Sequence, residues 1–132
     1  MKNLKKLLKK YQVDGYIIPK NDEYFNEYVP LSKDRLRFLS NFTGSAGFAV
    51  VLKNKSYLFV DGRYTIQANY QSGKSFKIIT VPKKLPRNVI LPNKSIILGF
   101  DPKLHTEKQL NFLFKIKNIK LKPIKTNLID LI

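Results

Sequence analysis

Residues 42–64 read FTGSAGFAVVLKNKSYLFVDGRY, and this stretch decides the fold. Two apolar runs, Phe48 to Leu52 and Tyr57 to Val60, flank a polar turn at Asn54-Lys55, which is the pattern of a β-hairpin. Two glycines three apart, Gly44 and Gly47, mark a tight turn before it. Asp61-Gly62-Arg63-Tyr64 follows it, where the second strand stops and a helix through Ile66, Ala68 and Tyr70 begins. Chain ends of strands at such junctions commonly carry function.

Outward from the hairpin, short apolar strands alternate with helical periodicity. Leu4, Leu7, Leu8 and Tyr11 recur at helical spacing among lysines, so residues 2–12 read as an amphipathic helix docked on a surface, ended by Asp14-Gly15. Tyr16-Ile17-Ile18 is a buried strand stopped by Pro19, and a polar, aromatic loop runs from Lys20 to Pro30. Ser32 is the expected N-cap of a helix through Leu36, Phe38 and Leu39 that ends near Asn41. Downstream, Phe76–Val81 and Ser95–Phe100 are expected strands separated by a proline-punctuated connection from Pro82 to Pro92. Thr106 and Gln109 form a capping box for a helix to about Asn118, and Ile119–Ile124 reads as an edge strand, because Pro123 cannot donate a ladder hydrogen bond. Asn127–Ile132 begins a further element. Helices alternating with strands around one hairpin give an α/β fold, a three-layer mixed sheet flanked by helices.

With 132 residues the chain has the length of one domain. Its formal charge of +16 invites a polyanion partner, but 21 of the 25 basic residues are lysines, scattered along the chain, whereas base recognition leans on the arginine fork. Lysine, isoleucine and asparagine share codons made of A and T, so a solvated, compositionally basic surface is the reading preferred to a nucleic-acid site. Cysteine is absent, which excludes disulfides and thiolate metal sites and suits a reducing, cytoplasmic compartment. No apolar run is long enough for a signal peptide or a membrane span, so no membrane partner is expected.

Catalytic chemistry is thin. A hydrolytic metal centre needs about three nitrogen or oxygen side chains plus an open position, and the chain has one histidine, His105, placed just before the Thr106 cap. Asp22, Glu23 and Glu27 are the one acidic cluster, explained equally well by a polar loop. Ser45 lacks the Gly-x-Ser-x-Gly spacing of a nucleophile elbow, so a triad with His105 has little support. Ala68 to Ser75 imitates a phosphate loop in the wrong order, with a helix leading in and a strand leading out.

Read in order, Asp14–Pro19, Asp22-Glu23 with Glu27-Tyr28, Arg37–Gly47, Val60–Tyr64, Gly99–Pro102 with His105-Thr106, and Asn127–Asp130 resemble the N-terminal domain of Xaa-Pro aminopeptidases. At Tyr24-Phe25 the chain departs from the His-Gln that family members often carry. The resemblance implies a creatinase/prolidase N-terminal fold with a ribonuclease-H-like motif, occupying residues 1–132 as a single domain. It also implies that the middle domain and the pita-bread catalytic domain, with two manganese ions, lie outside this chain. Family enzymes remove the residue preceding a proline in second position. By the same resemblance this domain is non-catalytic, walls the substrate entrance, helps assemble a homodimer, and uses Arg63, in the Asp-Gly-Arg-Tyr segment, to bind peptide. An ion pair between Arg63 and Asp61 or Asp34 is the competing role. Two other readings stay open: a stand-alone peptide- or protein-binding module, and an electrostatic nucleic-acid binder.

Overall fold

The structure, a computed structural model, describes residues 1–21 and 29–132. The expectations for Asp22, Glu23, Glu27 and Tyr24-Phe25 therefore fall outside the described residues.

Six strands form one sheet in the order β4-β3-β2-β1-β5-β6. They are β1 (Gly15–Pro19), β2 (Phe48–Leu52), β3 (Ser56–Asp61), β4 (Lys77–Val81), β5 (Ile96–Phe100) and β6 (Ile119–Pro123). The sheet is mixed because the hairpin turns β2 against both neighbours: β2 is antiparallel to β1 and β3, whereas β3–β4, β1–β5 and β5–β6 are parallel. Side chains alternate across it. Tyr16, Ile18, Val51, Leu58 and Val60 belong to one buried layer, and Ile17, Val50, Phe59, Ile79 and Leu98 to the other. Strands buried on both faces read as apolar runs, which is why period-two alternation is missing from β1, β2 and β3, while the edge strand β6 keeps it at Ile119-Lys120-Leu121-Lys122.

Helices α1 (Lys2–Lys10), α2 (Arg35–Ser40) and α3 (Thr65–Ser72) join the first layer through Leu4, Leu8, Leu36 and Ala68; α4 (Pro86–Val89) and α5 (Glu107–Phe114) join the second. Leu4 and Leu8 are fully buried one helical turn apart, so the apolar stripe of α1 is spent on the sheet and its lysines face out. Tyr16 is buried beneath this layer, and its hydroxyl accepts from the Leu128 amide at 3.3 Å in a closing 3-10 turn, Leu128–Leu131. Burial pushes that hydroxyl's pKa well up.

Three local expectations are corrected. Ser32 does not cap α2: Leu31–Lys33 winds into a 3-10 turn, and Asp34, one of the few buried carboxylates, accepts from the Arg37 amide at 3.2 Å instead. The connection from Pro82 to Pro92 contains the short helix α4, opened by Pro86, whose missing N–H costs nothing at a helix start. Helix α5 stops at Phe114 rather than near Asn118, because Asn118 must adopt a left-handed φ of 74° and accept from the Ile96 amide at 2.8 Å to bring β6 into register. The strand β6 does lie at the edge.

Candidate functional site

The hairpin register pairs Phe48 with Phe59, so the loop before β2 and the turn after β3 leave the sheet side by side. Asp61 ends β3 and caps the 3-10 turn Gly62–Tyr64, its carboxylate accepting from the Arg63 amide at 2.8 Å. The same oxygen accepts from Arg63 Nε at 3.1 Å. These two bonds, the amide's first, hold the Asp61 carboxyl below the usual carboxylate range, and the pairing raises the Arg63 pKa further. Both groups are open to solvent, with side-chain exposures of 73% for Arg63 and 44% for Asp61, so the pair orients the guanidinium more than it stabilises the fold. Of the two partners open in the sequence, Asp61 is the one found; Asp34 binds Lys20. Because Asp61 engages Nε, the two Nη groups of Arg63 have no partner among the described residues.

Behind the guanidinium stands the Tyr64 ring, 5.4 Å from the Arg63 carbon to its centroid. Tyr64 meets the buried Phe42 ring edge-on at 5.9 Å, and its hydroxyl bonds the Ser45 hydroxyl. The loop carrying Ser45 is pinned elsewhere too. The Thr43 hydroxyl accepts from Gln67 Nε2 at 2.9 Å and Gln71 Nε2 at 2.8 Å, while the Thr43 amide donates to Gln71 Oε1 at 3.0 Å. Both glycines are required by this packing: a Cβ at Gly44 would meet the Phe42 ring at 2.2 Å, and Gly47 has a φ of +154°. The sequence alone singles out neither Tyr64 as a neighbour of Arg63 nor Ser45, Thr43, Gln67 and Gln71 as parts of the bonded loop beside it. The hairpin held the signal, since pairing Phe48 with Phe59 places residues 43–47 against 61–64.

His105 lies apart from this network. Its ring meets Phe100 edge-on at 5.9 Å, and Nε2 is buried without a partner among the described residues. Burial lowers its pKa to about 4, so it is neutral at pH 7. Among the described residues Ser45 and His105 share no bond and no triad is assembled. The segment from Ala68 to Ser75 runs from α3 towards β4, the order in which no phosphate loop works. Asp101 is buried and structural, accepting from the Lys103 amide at 2.9 Å and Asn127 Nδ2 at 3.0 Å. Among the described residues no group of three or more histidines or carboxylates is placed to hold a metal ion. A groove of about 400 Å³ between Lys53 and Leu91 opens at the opposite rim of the sheet, away from Arg63.

The sequence profile described as Creatinase/Prolidase N-terminal domain matches residues 1–131. A protein of Coprinopsis cinerea named "Probable Xaa-Pro aminopeptidase P" is 34% identical across 98% of this chain and 22% of its own length. One of the same name from Arthroderma otae is 34% identical with the same coverages, 98% and 22%. The chain thus spans about a fifth of the length of these curated relatives. Among solved structures, the X-prolyl aminopeptidase of Caenorhabditis elegans, described as a cytosolic enzyme with a di-nuclear active site, superimposes with a TM-score of 0.80 at 29% identity, covering 90% of this chain and 21% of that one. The N-terminal domain of the cytoplasmic peptidase PepQ from Mycobacterium tuberculosis H37Rv shares the fold, with a TM-score of 0.70 at 21% identity over 98% of this chain and 94% of that one. Profile and architecture agree, and the chain belongs to the creatinase/prolidase N-terminal domain family.

Proposed function

We propose that this chain is the non-catalytic N-terminal domain of a cytoplasmic, metal-dependent Xaa-Pro aminopeptidase, and that it holds peptide at the substrate entrance through Arg63. Cleavage before proline belongs, in this reading, to a separate catalytic domain with two manganese ions, and the domain also contributes to a homodimer. The observation that carries the reading is the state of Arg63: exposed, oriented through Nε by Asp61, backed by Tyr64, and with both Nη groups unengaged among the described residues. A guanidinium held that way offers paired donors to a peptide carbonyl or carboxylate. Residues 42–47 and 61–71 are braced around it, so little ordering remains to be done on binding. The relatives' names support the substrate class. The lysine surplus is read as solvated surface, because four of the six described carboxylates, Asp14, Asp34, Asp61 and Asp130, pair with basic side chains while lysines stay exposed over many elements.

Tyrosine fluorescence of the isolated chain, titrated with Ala-Pro-Ala, tests this. Arg63→Ala is expected to weaken binding about tenfold or more, the loss of one charge-assisted contact. Equal affinity of wild type and variant contradicts it. Added manganese should yield no cleavage of the peptide, and metal-dependent turnover by the isolated chain would overturn the non-catalytic assignment.

A further inference from the structure

The Ser45 and Tyr64 hydroxyls bond each other across the gap between the loop before β2 and the turn after β3. Two hydroxyls carry two protons, and the bond between them consumes one. If Ser45 donates, the Tyr64 proton remains; if Tyr64 donates, the Ser45 proton remains. Neither hydroxyl has another hydrogen-bond partner among the described residues, and Ser45 is exposed. One O–H is therefore available in either arrangement. The Tyr64 ring that carries one of these hydroxyls also has its centroid 5.4 Å from the guanidinium carbon of Arg63, whose Nη groups are donors too.

We infer that the Ser45–Tyr64 hydroxyl pair is a second donor site for the peptide held by Arg63, taking an acceptor oxygen of the same ligand, either its terminal carboxylate or a main-chain carbonyl. The inference rests on the reading that Arg63 contacts peptide. The unused donors here are the guanidinium Nη groups on one side and one hydroxyl proton on the other. The nearest carboxylate, Asp61, already accepts from the Arg63 amide and Nε. Together these donors suit an acceptor oxygen of the ligand. It is also held in place. Phe42 packs edge-on against Tyr64, and Gln67 and Gln71 converge on Thr43, two residues from Ser45. Tyr64 thus has two separable functions, its ring steadying Arg63 and its hydroxyl sharing the second donor with Ser45.

The shared proton gives the proposal a distinctive signature. In Ser45→Ala the Tyr64 O–H survives, and in Tyr64→Phe the ring and the Ser45 O–H survive, so each should weaken Ala-Pro-Ala binding no more than about threefold. Together they leave no hydroxyl, and the double variant should weaken binding about tenfold, more than the product of its parts. Ser45→Thr, which restores a hydroxyl, should bind as wild type. Titrating Ala-Pro-Ala amide in parallel separates the oxygens: a defect confined to the free acid assigns the carboxylate, and an equal defect assigns a carbonyl. A double variant that is folded by circular dichroism and binds within twofold of wild type overturns the inference, provided Arg63→Ala is impaired. If Arg63→Ala binds normally, the underlying reading falls first. Should the double variant unfold, the wild-type chain labelled at tyrosine Cζ decides: the Tyr64 resonance is expected to move with peptide, and a stationary resonance overturns the inference.

Discussion

Arg63 and His105 show how the environment of one side chain sets what it can do. Arg63 is exposed, so its pairing with Asp61 is screened and serves orientation. His105 has the opposite setting, with Nε2 buried against an aromatic wall and burial lowering its pKa from 6.5 to about 4 despite the opposing charge of Asp101. The unfolded chain binds a proton at 6.5 and the folded chain resists it until about 4. The penalty is therefore absent above pH 6.5, grows as pH falls, and is complete below about pH 4, amounting to about 3 kcal/mol. His105→Gln, which does not titrate, should lose correspondingly less stability between pH 7 and pH 4.5 in urea unfolding. Parallel losses in variant and wild type would show that His105 is already solvated. Its place before the Thr106 cap was legible from sequence, since Thr106 does accept from the Gln109 amide at 3.2 Å. The depth of its burial was not, because Phe100 and Asn21, which line its surroundings, come from separate strands and loops.

Helix α2 illustrates what elements reveal and conceal. Its apolar positions were readable, but its start was not, because a serine, a lysine and an aspartate in succession offer two caps and only packing chooses between them. Asp34 wins because it also meets Lys20 at the end of β1, a partner 14 residues earlier that no local rule finds. The Lys20 side chain is only 13% exposed there. Asp34→Ala should therefore cost about 3 kcal/mol, the sum of a lost cap and an abandoned, poorly solvated ammonium. Asp34→Asn, which retains the capping oxygen, should cost less. The readout is the urea midpoint at unchanged slope; equal losses in both variants would show that the ion pair, not the cap, carries the effect. The hairpin and the strands flanking it were legible for a different reason. Five of the six strands are apolar runs set off by Gly, Pro, Asn or Asp, and such runs specify strands wherever they pack. The four-residue α4 is too short to show periodicity, and α5 ends where a long-range register with β5 demands it.

For the molecule as a whole, the parallel strands β1, β3, β4, β5 and β6 all point their C-terminal ends to one rim, and β2 begins there. Loops at the carboxyl ends of strands in such sheets gather binding groups. Arg63, Tyr64, Ser45 and His105 all lie on this rim, whereas the groove between Lys53 and Leu91 lies on the other. The charge of +16 does not choose between the rims, because its lysines are spread over helices, strands and loops alike. The central claim is that this fold presents peptide-binding donors at the Arg63 rim and no catalytic machinery of its own. An amide chemical-shift map of the ¹⁵N-labelled chain, titrated with Ala-Pro-Ala, tests it most directly. The account predicts saturable shifts concentrated at residues 43–47 and 61–65, reached in Arg63→Ala only at about tenfold higher peptide concentration or more. Shifts confined to the Lys53–Leu91 groove, or none at millimolar peptide, would contradict it.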